Sequence, residues 1–310
     1  MSHLCALSDG ECSRVTYFGG GRRVGNSLSY SPTIRIGSVD GKKIMELEIC
    51  KLCLKDKPLI SSHLMARGIH DFCRTPDDDP IFISSKVIMQ SGRQLQHPLL
   101  CRECDGLLSR EGENWVLPLL ATAEGTFPFH DLLLEGAPGG SDGDSKMYAA
   151  SRNPKIDVAK LAHFAMGVFW KASVHPWRGG ETEPLIQFAK YGESARTFLL
   201  GKAPFPAKMV LIVGVIPPPV KTIGFCHPYR GSASGYHNFL FFVPGIEFAL
   251  LVGNTISSDL KQTCFASHRL HPILVSGGIA GSIKGVIQGS TAKAHRASNV
   301  TKYLIKEKST

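Results

Sequence analysis

Cysteines at positions 50, 53, 101 and 104 form two C-x-x-C pairs, Cys50-Lys51-Leu52-Cys53 and Cys101-Arg102-Glu103-Cys104, with 47 residues between them. Each pair can present two thiolates from one tight turn, and two pairs complete the tetrahedral four-sulfur shell that Zn²⁺ accepts in closed structural sites. Zinc is the expected cofactor, held by Cys50, Cys53, Cys101 and Cys104. The same residues also admit an iron–sulfur cluster, buried metal-free thiols or a redox dithiol. A thioredoxin-like dithiol uses a single pair inside a βαβ pattern, which this region lacks. Cys5, Cys12, Cys73, Cys226 and Cys264 have no paired spacing and read as single buried or incidental thiols.

These residues must be positioned by a chain of 310 residues with 43% hydrophobic and 20% charged side chains and a formal net charge of +9. That composition describes a folded protein and excludes a disordered or fibrous one. The length allows one large domain or two smaller ones, whose core needs no disulfide staples. We divide the chain into a loose N-terminal arm (1–40), a cysteine-bearing module (41–135), a helix-plus-antiparallel-sheet region (150–283) and a basic C-terminal tail (284–310). A Gly- and Asp-rich linker around Asp142-Gly143-Asp144 separates the two middle parts. Beyond it, Asn153 as N-cap and Pro154 at the first helical position predict a helix with Leu161, Phe164, Ala165, Val168, Phe169 and Ala172 on its buried side. A second helix is predicted over 184–200. Apolar and β-branched runs at 209–216, His237–Val243 and Ile246–Val252 predict strands, the last two a hairpin across Pro244-Gly245.

Between the cysteine pairs the chain begins Pro58-Leu59-Ile60-Ser61-Ser62-His63 and closes with His97-Pro98-Leu99-Leu100-Cys101. A C-x-x-C pair, an apolar turn into histidine, a long excursion, Leu-Leu-C-x-x-C and a helix together resemble the treble-clef zinc modules of HNH-type proteins. Within that group the chain is most similar to a bacterial family in which Ser-His follows the first cysteine pair. Further likeness lies in Gly112-Glu113-Asn114-Trp115 and in the helix over 164–170 followed by His175-Pro176-Trp177, so that the resemblance covers roughly 47–178. It implies an α+β fold, with an N-terminal treble-clef zinc module followed by helices and a small antiparallel sheet.

Active HNH nucleases use a histidine to deprotonate water and a divalent metal to stabilise the phosphate transition state. The resemblance therefore implies His63 as the base, with His97 and Asp105 assisting at a second metal, Mg²⁺ or Mn²⁺. The sequence departs from the family's pattern twice. Ser62 stands where a metal ligand precedes the histidine, and Asp105 stands where a closing histidine follows the second cysteine pair. A carboxylate can bind Mg²⁺, and Glu111 and Glu113 offer two more. The other role open to His63 is that of a core histidine hydrogen-bonded to a cysteine sulfur or a backbone carbonyl.

Charge tempers the nucleic-acid reading. Residues 41–113 carry eleven basic and eleven acidic side chains, whereas residues 284–310 carry six and one. Four thiolates around one Zn²⁺ make the module more negative still, so it alone is expected to bind duplex weakly, and the basic tail is the candidate phosphate-contacting arm. The N-terminal residues lack a secretory h-region, and the most apolar stretch, 239–252, is broken by Pro244, Gly245 and Glu247 and is too short to span a bilayer. No membrane partner and a cytoplasmic location are expected. The functional expectation is a zinc-binding intracellular protein acting on nucleic acid as a divergent HNH-like endonuclease. The alternative is a noncatalytic zinc-stapled module that binds protein or nucleic acid.

Overall fold

The computed structural model describes residues 47–73, 92, 94–178, 181–220, 224–233 and 235–291, with strand segments at 6–8, 37–39, 42–44, 81–83, 87–90 and 295–296. The remainder of the expected arm (1–40), and of the basic tail beyond residue 291 save the strand His295–Arg296, lies outside the described residues.

Apolar, β-branched and aromatic runs build one mixed sheet of eleven strands. Its order is Gly140–Asp142, Ser145–Ala149, Pro272–Val275, Met209–Val215, Ile246–Val252, His237–Val243, Phe225–Gly231, Ala6–Ser8, Ile81–Ile83, Val87–Gln90 and His295–Arg296. The protein is thus mixed αβ, with a sheet larger and less uniform than the small antiparallel one expected. Its centre is antiparallel, with Phe248 opposite both Val213 and Phe241. Met209–Val215 runs parallel to Pro272–Val275, and Phe225–Gly231 parallel to Ala6–Ser8. The hairpin predicted over His237–Val243 and Ile246–Val252 is present. Strand Phe225–Gly231 escapes sequence periodicity because it contains Pro228 and its register shifts between Cys226 and Tyr229, which breaks the two-residue alternation.

Both faces of the central strands are covered, which explains their near-continuous hydrophobicity. On one face lies the helix Val158–Val174, whose Phe164 and Phe169 meet Phe241 edge-on with centroids 6.2 and 4.8 Å apart. On the other, Ile279 and Ile283 of the helix Gly277–Thr291 pack with Cys226 and Phe242. The predicted helix begins later than expected, at Val158, because Asp157 caps it by accepting from the Lys160 N–H at 3.0 Å. Asn153 instead ties down a turn, donating to the Leu132 carbonyl at 2.7 Å and accepting from Lys155 N–H at 2.9 Å. The second helix is also shorter than predicted, spanning Gly192–Leu199, since Ala189 before it takes a left-handed φ of 47°. No helix among the described residues is long and apolar enough to cross a membrane.

The helix Val158–Val174 is buried without a break from Leu161 to Ala172, so its second face must also be covered. The cover is the cysteine-bearing segment. Helix Arg102–Leu108 runs into a wider π turn, Ser109–Glu113, and a Cβ built on Gly112 there would lie 2.8 Å from the backbone N and Cα of Phe164. Glycine is therefore what lets the two backbones meet. The buried Lys171 fixes this contact, donating to the Glu113 carboxylate at 3.1 Å and to the His63 carbonyl at 2.9 Å, while Ser109 donates to the second Glu113 oxygen at 3.0 Å.

Two stability predictions follow from this docking. Gly112→Ala should destabilise the protein by about 2–3 kcal/mol, because backbone must move to admit the methyl group, as read from urea midpoints. Lys171→Met should cost about 1–3 kcal/mol by removing one of the two partners of Glu113, and the double variant with Glu113→Gln should recover part of that loss. A double-variant loss equal to the sum of the Lys171→Met and Glu113→Gln losses, measured singly, would mean that the pair is uncoupled.

Candidate metal centre

Strands Glu48–Ile49 and Asp56–Lys57 pair antiparallel, and the turn between them carries the first cysteine pair. The turn is closed by Leu54 N–H donating to the Cys50 carbonyl at 2.9 Å and Cys50 N–H to that of Lys55 at 3.0 Å. Leu54 takes a left-handed φ of 60° to complete it. Strand Leu59–His63 then pairs antiparallel with Gln96–Cys101, and Cys101 ends that strand as the N-cap of helix Arg102–Leu108. Cys104 follows in the helix's first turn, so one strand end and one helix start deliver the second pair. Lys51 N–H donates to the Leu99 carbonyl at 3.2 Å and Cys101 N–H to the Cys50 sulfur at 3.3 Å, which joins the two halves.

All four sulfurs lie within 4.8 Å of one another, with Cys53 and Cys101 Sγ 4.0 Å apart. A tetrahedral Zn²⁺ with four Zn–S bonds of about 2.3 Å sets its sulfurs about 3.8 Å apart, so the cluster needs only a small contraction to hold the ion. Cys50, Cys101 and Cys104 are buried, and Cys53 is half-buried. Burial pushes the Cys101 thiol up to about 11 and that of Cys104 higher still. Burial also raises Cys50, but backbone hydrogen bonds, first at Cys53 and then at Cys101, outweigh it and bring that thiol down. Thiols pushed upward by burial become thiolates only beside a compensating cation, which is what a divalent metal supplies. The four cysteines are close enough to hold one metal ion, and four protein ligands on such an ion would leave no open position for a reacting molecule.

The histidines part company. Ser62 pairs with His97 and His63 with Gln96 across the two strands. Directly paired residues share a face and successive residues alternate, so His63 and His97 project to opposite faces. His97 stacks on His175, ring centroids 3.8 Å apart, and burial holds His97 below its usual value and His175 at about 4. On the other face burial, then the Lys171 ammonium, lowers His63, with Asp105 and Glu113 pulling upward. The structure therefore brings His63 and Asp105 within electrostatic reach and leaves His97 apart. Among the described residues, the four cysteines are the only group of three or more His, Cys, Asp or Glu side chains close enough to share an ion.

Sequence reasoning missed Lys171, which ties this segment to the core. Its signal was a lone lysine in an otherwise apolar helix stretch. Of the remaining cysteines, Cys264 is a buried thiol as expected, and Cys226 Sγ donates to the His227 carbonyl at 3.3 Å. Cys73 corrects the expectation of a single thiol, because it is disulfide-bonded. Spacing along the chain carries no information on a partner brought near by folding.

The fold and site define a mixed αβ protein with four cysteines close enough to hold a metal ion. Comparison with protein-family models, curated proteins and solved structures finds no match to the chain.

Protein purified without chelators should carry about one zinc per chain by elemental analysis, and Cys104→Ser should lose it. Protons compete for the thiolates, so zinc retention should weaken as pH falls. Metal-free wild-type protein, or zinc retained in Cys104→Ser, would contradict the assignment.

Proposed function

We propose that Cys50, Cys53, Cys101 and Cys104 hold a structural zinc ion in a treble-clef-like module, and that the chain is a noncatalytic, zinc-stapled protein-interaction module. A turn bearing one cysteine pair, a strand pair and a helix start bearing the other support the treble-clef reading, since these are the parts on which the resemblance rests. The observation that carries the noncatalytic reading is the placement of His63 and His97 on opposite faces of one strand pair. A nuclease centre needs its base and metal ligands to converge on one phosphate. The backbone carbonyl of His63 accepts from buried Lys171 at 2.9 Å, which anchors its strand to the core.

An interaction role draws on the surface of the same turn. Leu47, Ile49 and Leu54 are each more than half exposed, and all three sit on or beside the paired strands that carry the first cysteines. Leu47 and Ile49, two residues apart along an extended segment, present one side. Large apolar side chains gathered on a metal-stapled tip suit contact with an apolar protein surface. The formal neutrality of residues 41–113 favours a protein over a polyphosphate at this tip.

The two readings separate on His63→Ala and on divalent-dependent cleavage. We expect zinc-loaded wild-type protein to leave single- and double-stranded DNA and RNA intact with Mg²⁺ or Mn²⁺. His63→Ala should keep its zinc and its fold, measured by elemental analysis and circular dichroism. Cleavage by the wild type that His63→Ala abolishes, with zinc content unchanged, would overturn the noncatalytic reading in favour of the nuclease.

A further inference from the structure

A cavity of about 470 Å³ opens beside the N-terminal turns of the central helix, and it shares no residue with the cysteine site. Its volume falls in the range of small-molecule sites, roughly 300–1,000 Å³. Small residues keep it open: Ala159 and Ala162 of the helix Val158–Val174, then Gly201, Ala203 and Ala266 across from them. Phe198 and Phe205 supply aromatic wall, their rings set edge-on with centroids 5.4 Å apart.

Three polar side chains line this apolar space, Glu111, His163 and His271, and their hydrogen bonds fix what each can still do. His163 Nε2 lies 3.0 Å from the Leu199 carbonyl, which can only accept, so Nε2 carries the proton and Nδ1 is left as an acceptor. That buried Nδ1 has no hydrogen-bond partner, and His163 itself is nine-tenths buried. His271 Nδ1 likewise donates to the Phe265 carbonyl at 2.7 Å, which leaves Nε2 as an acceptor. The imidazole is presented from a left-handed backbone, φ 49°, in which His271 N–H donates to the His268 carbonyl at 2.9 Å. Glu111 is exposed and makes no ion pair among the described residues.

The π turn Ser109–Glu113 accounts for the contrast between its two carboxylates. Glu113 is directed to Lys171 inside the docking contact, and Glu111, two residues earlier, lines the cavity. Extra helical residues of this kind recur where a helix must place side chains for function. The polar lining is therefore all acceptor, with one negative charge and two aromatic rings. Burial keeps the His163 ring below its usual value and so uncharged, which preserves this polarity at neutral pH.

We propose that this cavity binds a small organic cation with an apolar body of one or two rings, its ammonium or amidinium group held by Glu111 and a further N–H by His271 Nε2. The ring body would lie against Phe198 and Phe205, whose faces also attract cations. A carboxylate-bearing molecule of the same shape would be rejected, because its charge would meet Glu111 and the His271 Nε2 lone pair. The inference is independent of the role given to the cysteine module.

The test uses the zinc-loaded full chain, titrated calorimetrically with tryptamine, phenethylamine and benzamidine as cationic probes, and with indole-3-acetate as the anionic control. At least one cation should bind at millimolar concentration or below, and indole-3-acetate should not. Glu111→Gln, at an exposed position, should weaken the cation by about tenfold or more, the worth of a hydrogen bond to a charged group. Ala159→Trp, also exposed, should block binding by filling the mouth, and neither variant should change the melting temperature or zinc content appreciably. Three failures would each overturn the proposal: no binding by any of the cations, indole-3-acetate binding as tightly as they do, or cation affinity unchanged in both variants.

Discussion

Four sulfur atoms within 4.8 Å of one another, three of them in buried residues, impose the constraint on which the cysteine-bearing segment depends. Burial raises the Cys101 and Cys104 thiols and disfavours their ionisation, so the cluster is stable as four thiolates only around a cation. The turn at Cys50–Cys53 is held by backbone hydrogen bonds within itself and to Leu99. Leu52 is buried beneath it and Arg196 donates to the Leu52 carbonyl at 2.6 Å, but Leu47, Ile49 and Leu54 face outward.

From that site the mechanical linkage runs inward. Helix Arg102–Leu108 starts at the second cysteine pair, continues into the π turn and lies backbone to backbone on Phe164 through Gly112. Lys171 closes the junction by bonding at once to the turn, through Glu113, and to the strand, through the His63 carbonyl. The desolvation of both groups offsets much of their attraction, so the net contribution of the pair is smaller than the cost of removing one partner. The metal centre and the sheet thus share one hydrophobic core, which includes Cys50 and Cys101 as well as Phe241 and Phe248.

The parts legible in the sequence were those written in local spacing. The C-x-x-C pairs, the helix around Phe164 and Val168, and the hairpin at Pro244-Gly245 each depend on residues close together in the chain. What remained hidden depends on register and on distant partners. The facing of His63 and His97 is set by a strand pairing with a bulge between Ile60 and Ser61, and a shift of one residue would have turned either side chain to the other face. His97 finds His175 across a gap that no motif spans. Edge strands of two to four residues carry too few side chains to show a period, and the cavity at His163 is assembled from segments between Glu111 and His271.

Zinc-edge X-ray absorption on the purified protein reads directly whether all four cysteines ligate one zinc ion. A first shell of four sulfurs at about 2.3 Å with no lighter neighbour is expected. A shell containing nitrogen or oxygen, or fewer than four sulfurs, would contradict four-cysteine ligation.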